Sequence, residues 1–316
     1  MKLSIIVPCY NEERNIEPFY NEVVTTFEKE KLQYEIVFIN DGSKDETIKE
    51  LKKLAKNTDE NIKIINFSRN FGKEAAMYAG LKEASGEFVS IIDADLQQKP
   101  FLILKMLEIL ENDDNYDSVA TYQEKRRDPF FKRIFSNQFY KLINKISEVE
   151  FVPGASDFRL FRRPMVDAIV NMNEYYRFSK GIFSWVGFNT YYIPYEADKR
   201  AFGTTKWSFI KLFSYAIDGI VSFTTTPLRI STFFGLIISF LSFLYLLITI
   251  IQTVIFGNDV PGYASIIGAG LLLGGIQLLS LGIIGEYLAR TYVETKKRPI
   301  YIAKEIINNK KDKNKL

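Results

Sequence analysis

The chain has 316 residues, a net charge of +3 and a mean hydropathy of −0.05, with 47% hydrophobic and 25% charged residues. These averages exclude intrinsic disorder, collagen and a disulfide scaffold, and the length suffices to bury a sizeable core. The single cysteine, Cys9, allows no intrachain disulfide, and the absence of histidine removes imidazole catalysis and His-ligated zinc, so any metal must sit on oxygen ligands.

Met1 to Pro8 lacks a basic segment followed by a long apolar one, so no signal peptide is expected. Leu3 to Pro8 reads instead as a buried strand, and Asn15 to Lys31 as a helix with Ile16, Phe19, Tyr20, Val23, Val24 and Phe27 on one face. Tyr34 to Asn40 predicts a second strand, followed by Asp41-Gly42-Ser43-Lys44-Asp45 and a helix to about Lys56. Ile62 to Phe67 is a third strand, with a loop over 68–72 and a helix from Lys73 to Ala84. Gly86 breaks the chain before a fourth strand, Phe88 to Ile92, that ends in Asp93-Ala94-Asp95. A helix from Pro100 to Glu111 and a strand from Ser118 to Tyr122 follow. Repeated βα units of this kind predict an α/β fold with a mostly parallel, Rossmann-like sheet, whose ligands bind at the carboxyl ends of the strands. The polar clusters fall at those ends.

Lys125 to Lys145 holds seven Lys/Arg against one acid, Asp128, with Phe130, Phe131, Ile134, Phe135, Phe139, Leu142 and Ile143 interleaved. The pattern fits a basic amphipathic helix on a membrane surface, over about 128–147, as well as a helix that packs its aromatics inward. A second such helix is expected over about 205–222. The segments downstream favour the membrane. Ile230 to Asn258 and Val260 to Gly285 are uncharged runs of 29 and 26 residues, each longer than the roughly 20 needed to cross a bilayer. Two spans are therefore expected, over about 230–256 and 263–287, after a catalytic domain over 1–225 and before a basic tail over 291–316. The tail's last residues, from Asn308, are expected to be disordered. The turn 257–262 carries no Lys or Arg, whereas Arg290 to Leu316 carries nine. The positive-inside rule then puts the domain and both termini in the cytoplasm, on a multi-pass protein of the cytoplasmic membrane. Glu286 and Arg290 at the span end read as paired or snorkelling charges. Gly268 to Gly285 is rich in glycine, which makes helix association and a homo-oligomer plausible.

Asp93 and Asp95 stand two apart at a strand end, so both carboxylates can face one site. Such a pair repels itself unless a hard cation, Mg²⁺ or Mn²⁺, lies between it and a phosphate-bearing substrate. Pro8-Cys9-Tyr10-Asn11-Glu12-Glu13 offers a flat ring and hydrogen-bonding groups, and Asp41-Gly42-Ser43 a carboxylate and a glycine turn. Together they suit a nucleoside, although each alone reads as an ordinary turn or helix cap. There is no G-x-G-x-x-G and no G-x-x-x-x-G-K-[ST] in the polar part, against a Rossmann dehydrogenase or a P-loop NTPase. No nucleic-acid partner is expected.

These blocks, with Asn70-Phe71-Gly72-Lys73-Glu74 and Asp93-Ala94-Asp95-Leu96-Gln97, resemble the signatures of family 2 inverting glycosyltransferases with a GT-A fold. The resemblance extends to the polyprenyl-phosphate branch, the dolichol-phosphate mannose synthase-like and bactoprenol glucosyltransferase proteins. It does so through Lys132-Arg133 with Ser136, Ser156-Asp157-Phe158-Arg159-Leu160, Arg177-Phe178 with Lys180-Gly181, Arg200 with Gly203 and Lys206, Gly282 to Tyr287, and Lys297-Arg298-Pro299. Two departures from the family pattern stand out: Asn40 where many members have Asp, and Gln98-Lys99 where Asp-Pro is common.

The resemblance implies a nucleotide-sugar site of Pro8, Tyr10, Asn11, Glu12, Asp41, Gly42, Ser43, Lys73, Asp93, Ala94, Arg200 and Lys206. It implies a cation on Asp95 with Asp93 and Gln97, a lipid-phosphate site of Arg126, Lys132, Arg133 and Ser136, and Asp157 with Asp95 as catalytic residues. Asp157 resembles the family's general base, yet an acceptor phosphate with a second pKa of about 6 is already mostly ionised, so Asp157 could equally orient a substrate. The expected reaction moves a sugar, most readily glucose from UDP-glucose, onto undecaprenyl phosphate. The product, a polyprenyl-monophosphoryl sugar, would serve cell-envelope glycan modification. The alternatives are another sugar (GlcNAc, galactose, mannose or an aminoarabinose derivative), a processive polysaccharide synthase, or a non-catalytic scaffold.

Overall fold

A computed structural model describes residues 2–123, 138, 140–141, 143–147, 149–196, 219, 221–256 and 262–309. The chain divides into two units, Met1–Ala216 with Pro299–Leu316, and Ile217–Arg298.

The first unit is built on a sheet of eight strands: β1 (Leu3–Cys9), β2 (Tyr34–Asn40), β3 (Ile62–Phe67), β4 (Phe88–Ile91), β5 (Ser118–Gln123), β6 (Ala155–Arg162), β7 (Thr190–Tyr195) and β8 (Ala303–Asn308). Their order is β7-β5-β6-β4-β1-β2-β3-β8. The pairs β1–β2, β1–β4, β2–β3 and β5–β7 are parallel; β4–β6, β5–β6 and β3–β8 are antiparallel. The mostly parallel α/β sheet expected from the sequence is therefore present. β1 and β2 are buried on both faces, with Leu3, Ile5, Ile6, Val7, Ile36, Val37, Phe38 and Ile39 wholly inaccessible, which is why they read as unbroken apolar runs.

Helices α1 (Ile16–Glu28), α2 (Thr47–Asn57), α3 (Lys73–Glu83), α4 (Phe101–Asn112), α5 (Arg163–Asn171) and α6 (Ser179–Trp185) flank the sheet. α1 buries Ile16, Phe19, Val23 and Phe27 at helical spacing. α3 has no such stripe: Ala75 to Leu81 are all buried. Its small residues let it lie close on the sheet, and a Cβ on Gly80 would come within 2.2 Å of Ile6 Cγ2. The chain runs from β1 outward through β2 to β3, then returns to place β4 on the other side of β1. The crevice at such a reversal, beyond the carboxyl ends of β1 and β4, is where open α/β sheets bind ligands.

The expected tail is different in the structure. β8 pairs antiparallel with β3 over Lys63↔Asn308 to Phe67↔Ala303, and Ile307 packs on the main core. Asn309 is buried; its Oδ1 accepts Ile62 N–H at 3.0 Å and its Nδ2 donates to Glu60 O at 2.6 Å. Without β8, the edge of β3 would present unpaired peptide groups. Disorder from Asn308 is therefore corrected for Asn308 and Asn309, and 310–316 lie outside the described residues.

The second unit contains α7 (Thr226–Phe256) and α8 (Tyr263–Thr295). At about 1.5 Å per residue each exceeds the roughly 30 Å of bilayer hydrocarbon. Thr226–Thr249 and Gly268–Thr295 are apolar enough to cross it, with mean hydropathies of 2.2 and 1.7. Their large apolar side chains face outward, Val254 80% and Ile266 73% exposed, as lipid-facing residues must. Arg290 pairs with Glu286 at 3.4 Å and donates to Ser222 Oγ at 3.0 Å, the first of the two arrangements expected there. Of the two expected amphipathic stretches, helical residues are described only at 138, 140–141, 143–146, 219 and 221–223.

Candidate active site

The loops after β1 and β2 are stitched together. Asn11 turns the first with φ +56°, a left-handed conformation that asparagine tolerates better than most residues. Its N–H donates to Ser43 Oγ at 2.9 Å, and its Oδ1 accepts Lys44 N–H at 2.8 Å. Glu12 N–H reaches Thr47 Oγ1 at 2.9 Å, and Asp45 Oδ1 in turn accepts from Thr47 N at 3.1 Å and Oγ1 at 2.5 Å. Glu12 Oε2 also accepts from Asn15 Nδ2 at 2.5 Å. Pro8 near the end of β1 and Tyr10 just after it are half-buried, and Cys9 between them is buried with its thiol pushed up by burial, a filler rather than a nucleophile.

Asp41 ties in the loop after β3. Its Oδ1 accepts Phe71 N–H at 2.6 Å and its Oδ2 accepts Gly72 N–H at 3.0 Å. Burial pushes this carboxyl up to about 6, against the opposing pull of those N–H groups. Gly42 (φ +61°) lets the two loops touch: a Cβ there would stand 2.3 Å from the carbonyl carbon of Arg69. The resemblance implied that Asp41 holds the nucleoside; the structure adds that its carboxylate clamps the backbone that leads into α3.

That backbone presents Lys73 at the first position of α3. Its Nζ lies 2.7 Å from Asp93 Oδ1, 2.9 Å from Asp93 Oδ2 and 3.1 Å from Asp157 Oδ2. The meeting follows from register: Ile91 on β4 stands opposite Arg159 on β6, so two residues further on Asp93 comes opposite Asp157. Burial would raise the Asp157 carboxyl, but Lys73, Lys180 and Arg159 overcome it and hold it near 2. Burial likewise would lower Lys73, and Asp93 and Asp157 reverse it. Among the described residues, Asp157 Oδ1 is buried without a hydrogen-bond partner. Glu74, next on α3, accepts both the N–H (2.9 Å) and the hydroxyl of Ser179, which opens α6. Burial, then Asp157, push Glu74 up to about 7.

Beyond Asp93 the chain turns through Ala94, which is buried, and Leu96 at φ +58°. Asp95 Oδ1 accepts Gln97 N–H at 3.1 Å, closing the turn. Gln98 Nε2 donates to Ser156 Oγ at 2.8 Å, which ties this turn to the start of β6. Among the described residues no group of three or more carboxylate, thiolate or imidazole ligands forms a self-sufficient metal cage. The donors offered are a pair of carboxylates, one of them held by Lys73. Such a set fits a hard cation that takes its remaining ligands from water and a substrate diphosphate, the habit of Mg²⁺.

The structure thus gathers Asn11, Glu12, Asp41, Gly42, Ser43, Lys73, Asp93, Ala94, Asp95, Gln97 and Asp157 at the carboxyl end of the sheet. Arg126, Lys132, Arg133, Ser136, Arg200 and Lys206 lie outside the described residues. Sequence reasoning missed Glu74, Gln98, Ser156, Ser179 and Lys180 as partners of the site. Glu74, Ser156 and Lys180 stand inside the resembling blocks and Gln98 and Ser179 beside them, but their interactions cross from one element to another and no spacing announces them.

Two family models match the chain: one described as glycosyl transferase family 2 over residues 4–170, the other as the GtrB C-terminal hairpin over 226–291. A Bacillus subtilis (strain 168) protein provisionally named a glycosyltransferase, CsbB, is 46% identical over 96% of this chain and 91% of its own. The prophage bactoprenol glucosyl transferase homolog of Escherichia coli (strain K12) is 43% identical over 97% of this chain and 99% of its own. Among solved structures, glucosyl-3-phosphoglycerate synthase from Mycobacterium tuberculosis, in complex with Mn²⁺, UDP and phosphoglyceric acid, is 15% identical over 70% of this chain and 76% of its own, with a TM-score of 0.48.

Proposed function

The chain belongs to glycosyl transferase family 2 and carries a hairpin of the GtrB type, and on that premise we propose that it transfers glucose from UDP-glucose to a polyprenyl phosphate. The acceptor would be undecaprenyl phosphate at the cytoplasmic face of the membrane. The observation that carries this reading is the near full-length similarity, hairpin included, to a bactoprenol glucosyl transferase. The absence of Lys and Arg from the turn 257–262, against the basic segments flanking the hairpin, supports the orientation.

The acceptor's phosphate oxygen attacks C1 of the sugar, the C1–O bond to the diphosphate breaks, and configuration inverts in one displacement. The stitched loops of Asn11, Glu12 and Ser43, with Tyr10, hold the nucleoside. Asp95, with Asp93 and Gln97 beside it, would hold Mg²⁺ or Mn²⁺. When bound, that cation offsets charge on the departing diphosphate. Lys73 fixes Asp93 and Asp157 through its ammonium and helps to keep Asp157 ionised. A carboxylate near 2 is a poor acceptor for a proton from a phosphate with pKa about 6. Asp157 therefore serves as an orienting anion, and its unpartnered Oδ1 is the atom to accept a substrate hydroxyl. Arg126, Lys132 and Arg133 suit the lipid phosphate, and Arg200 and Lys206 the diphosphate, by charge and paired donors.

The test incubates the purified protein and undecaprenyl phosphate with UDP- and GDP-sugars, with and without EDTA, and looks for glycolipid by mass spectrometry. UDP-glucose should give an EDTA-sensitive product, and Asp95→Asn should lower turnover at least about 100-fold. No product from any donor sinks the enzymatic reading; full turnover in EDTA removes the cation.

A further inference from the structure

A chain of hydrogen bonds runs from the strand after the hairpin into the stitched loops. Glu305 on β8 takes Lys52 of α2 at 2.7 Å and accepts from Asn66 Nδ2 at 2.9 Å. Asn66 Oδ1 accepts from Asn40 Nδ2 at 2.8 Å, and Asn40 Oδ1 accepts Ser43 N–H at 3.3 Å. Ser43 Oγ accepts the N–H of left-handed Asn11. Both intervening amides are shielded from water, Asn40 2% and Asn66 8% exposed, so neither can exchange its partner for solvent at low cost.

The direction of the chain is set at its far end. A carboxylate only accepts. Glu305 therefore turns the amide of Asn66 so that its NH₂ faces β8 and its oxygen faces β2. That oxygen demands a donor from residue 40, which an asparagine supplies and an aspartate does not. Asn40 then has its oxygen left for Ser43. Reversing any one member puts two oxygens or two NH₂ groups face to face.

We propose that Glu305 is a positioning residue for the nucleotide loops, acting through Asn66 and Asn40 on Ser43 and Asn11. The proposal rests on the reading that these loops hold the donor's nucleoside. It makes a strand that follows the membrane hairpin in the chain part of the donor site's support, and it gives Asn40 a reason to be an amide.

Two readouts test it on the full-length protein in detergent: calorimetric titration with UDP, and hydrogen–deuterium exchange of residues 10–13 and 41–46 without ligand. Glu305→Ala should weaken UDP about fivefold, the scale of one lost hydrogen bond, and speed exchange in both loops. Glu305→Gln, which keeps an acceptor for Asn66, should stay within about twofold of wild type. Lys52→Ala should do the same. Asn40→Asp should weaken UDP about as much as Glu305→Ala. Asn40→Asp with Glu305→Gln should restore it, because the introduced glutamine donates to Asn66 Oδ1, Asn66 Nδ2 then donates to the introduced carboxylate, and that carboxylate still accepts Ser43 N–H. Restoration between two residues that do not touch is an outcome a merely structural role would not give. Unchanged UDP affinity and exchange in Asn40→Asp, or no restoration in the pair, overturns the proposal even if Glu305→Ala fails to fold. Wild-type protein that binds no UDP overturns the donor-site reading instead, and the exchange pattern then reports on the relay alone.

Discussion

At the scale of single residues, the site is governed by where burial and opposite charge win against each other. Asp157, which touches Lys73, and Glu74, which follows it in α3, are driven in opposite directions: Asp157 down to about 2 by cations that outweigh its burial, Glu74 up to about 7 by burial and by Asp157 itself. Asp157 contributes stability that is present above about pH 4 and lost as pH falls through about 2. Glu74 behaves oppositely. Between pH 4.5 and 7 the folded chain holds a proton on Glu74 that the unfolded chain has released. Its contribution is full below 4.5 and is lost as pH rises through about 7. Glu74→Gln keeps an oxygen for Ser179 and removes the titration. Denaturant unfolding in detergent should therefore show wild type losing more stability than Glu74→Gln as pH rises from 5 to 8, with a difference on the order of 1–3 kcal/mol. Parallel stability profiles would refute the burial of this carboxyl as the cause.

At the scale of elements, strand ends are locked by contacts between loops that are far apart in sequence. Gly42 and Asn309 are the points where that locking is tightest. Gly42 admits the backbone of Arg69 and Asn70 at distances no Cβ tolerates, so the loops after β2 and β3 exist only as a pair. Asn309 closes the end of β8 by binding the backbone of Ile62 and Glu60. Asn309→Ala leaves buried peptide groups unpaired and should cost about 1–3 kcal/mol, read as a lower midpoint in denaturant unfolding. An unchanged midpoint would mean that β8 is held by its ladder and Ile307 alone. The same logic explains α3. A helix without an amphipathic stripe is stable here because tertiary packing, not its own periodicity, buries Ala75 to Leu81.

At the scale of the whole molecule, the chain leaves the catalytic unit once, forms the hairpin, and returns to add an edge strand to the sheet it left. The hairpin is thus an insertion between β7 and β8 in sequence, not a terminal appendage. Membrane orientation can be read with engineered thiols, because Cys9, the one native cysteine, is buried. In intact cells a membrane-impermeant maleimide should label Asp259→Cys, between α7 and α8 in sequence, and leave Asp312→Cys unlabelled until the cells are opened. The reverse pattern would place the catalytic unit outside.

The sequence by itself determined what depends on local order. The apolar strands, the alternation of strands and helices, and the two spans are set by runs and periods that need no partner to be recognised. So were the carboxylates at Asp93 and Asp95, because a strand's end follows from its length. The resemblance of short blocks then led to Asp157. The tertiary structure alone decided which groups meet. Lys73, Asp93 and Asp157 are brought to one point by the register of β4 and β6, and no spacing in the chain encodes that distance. That Asp41 also clamps Phe71 and Gly72 was not legible, because its loop folds against one thirty residues away. The basic tail, expected to be disordered from Asn308, supplies β8, since charge and polarity describe the faces of an edge strand but not the peptide groups along it. Those groups need a partner, and the open edge of β3 is where this chain finds one.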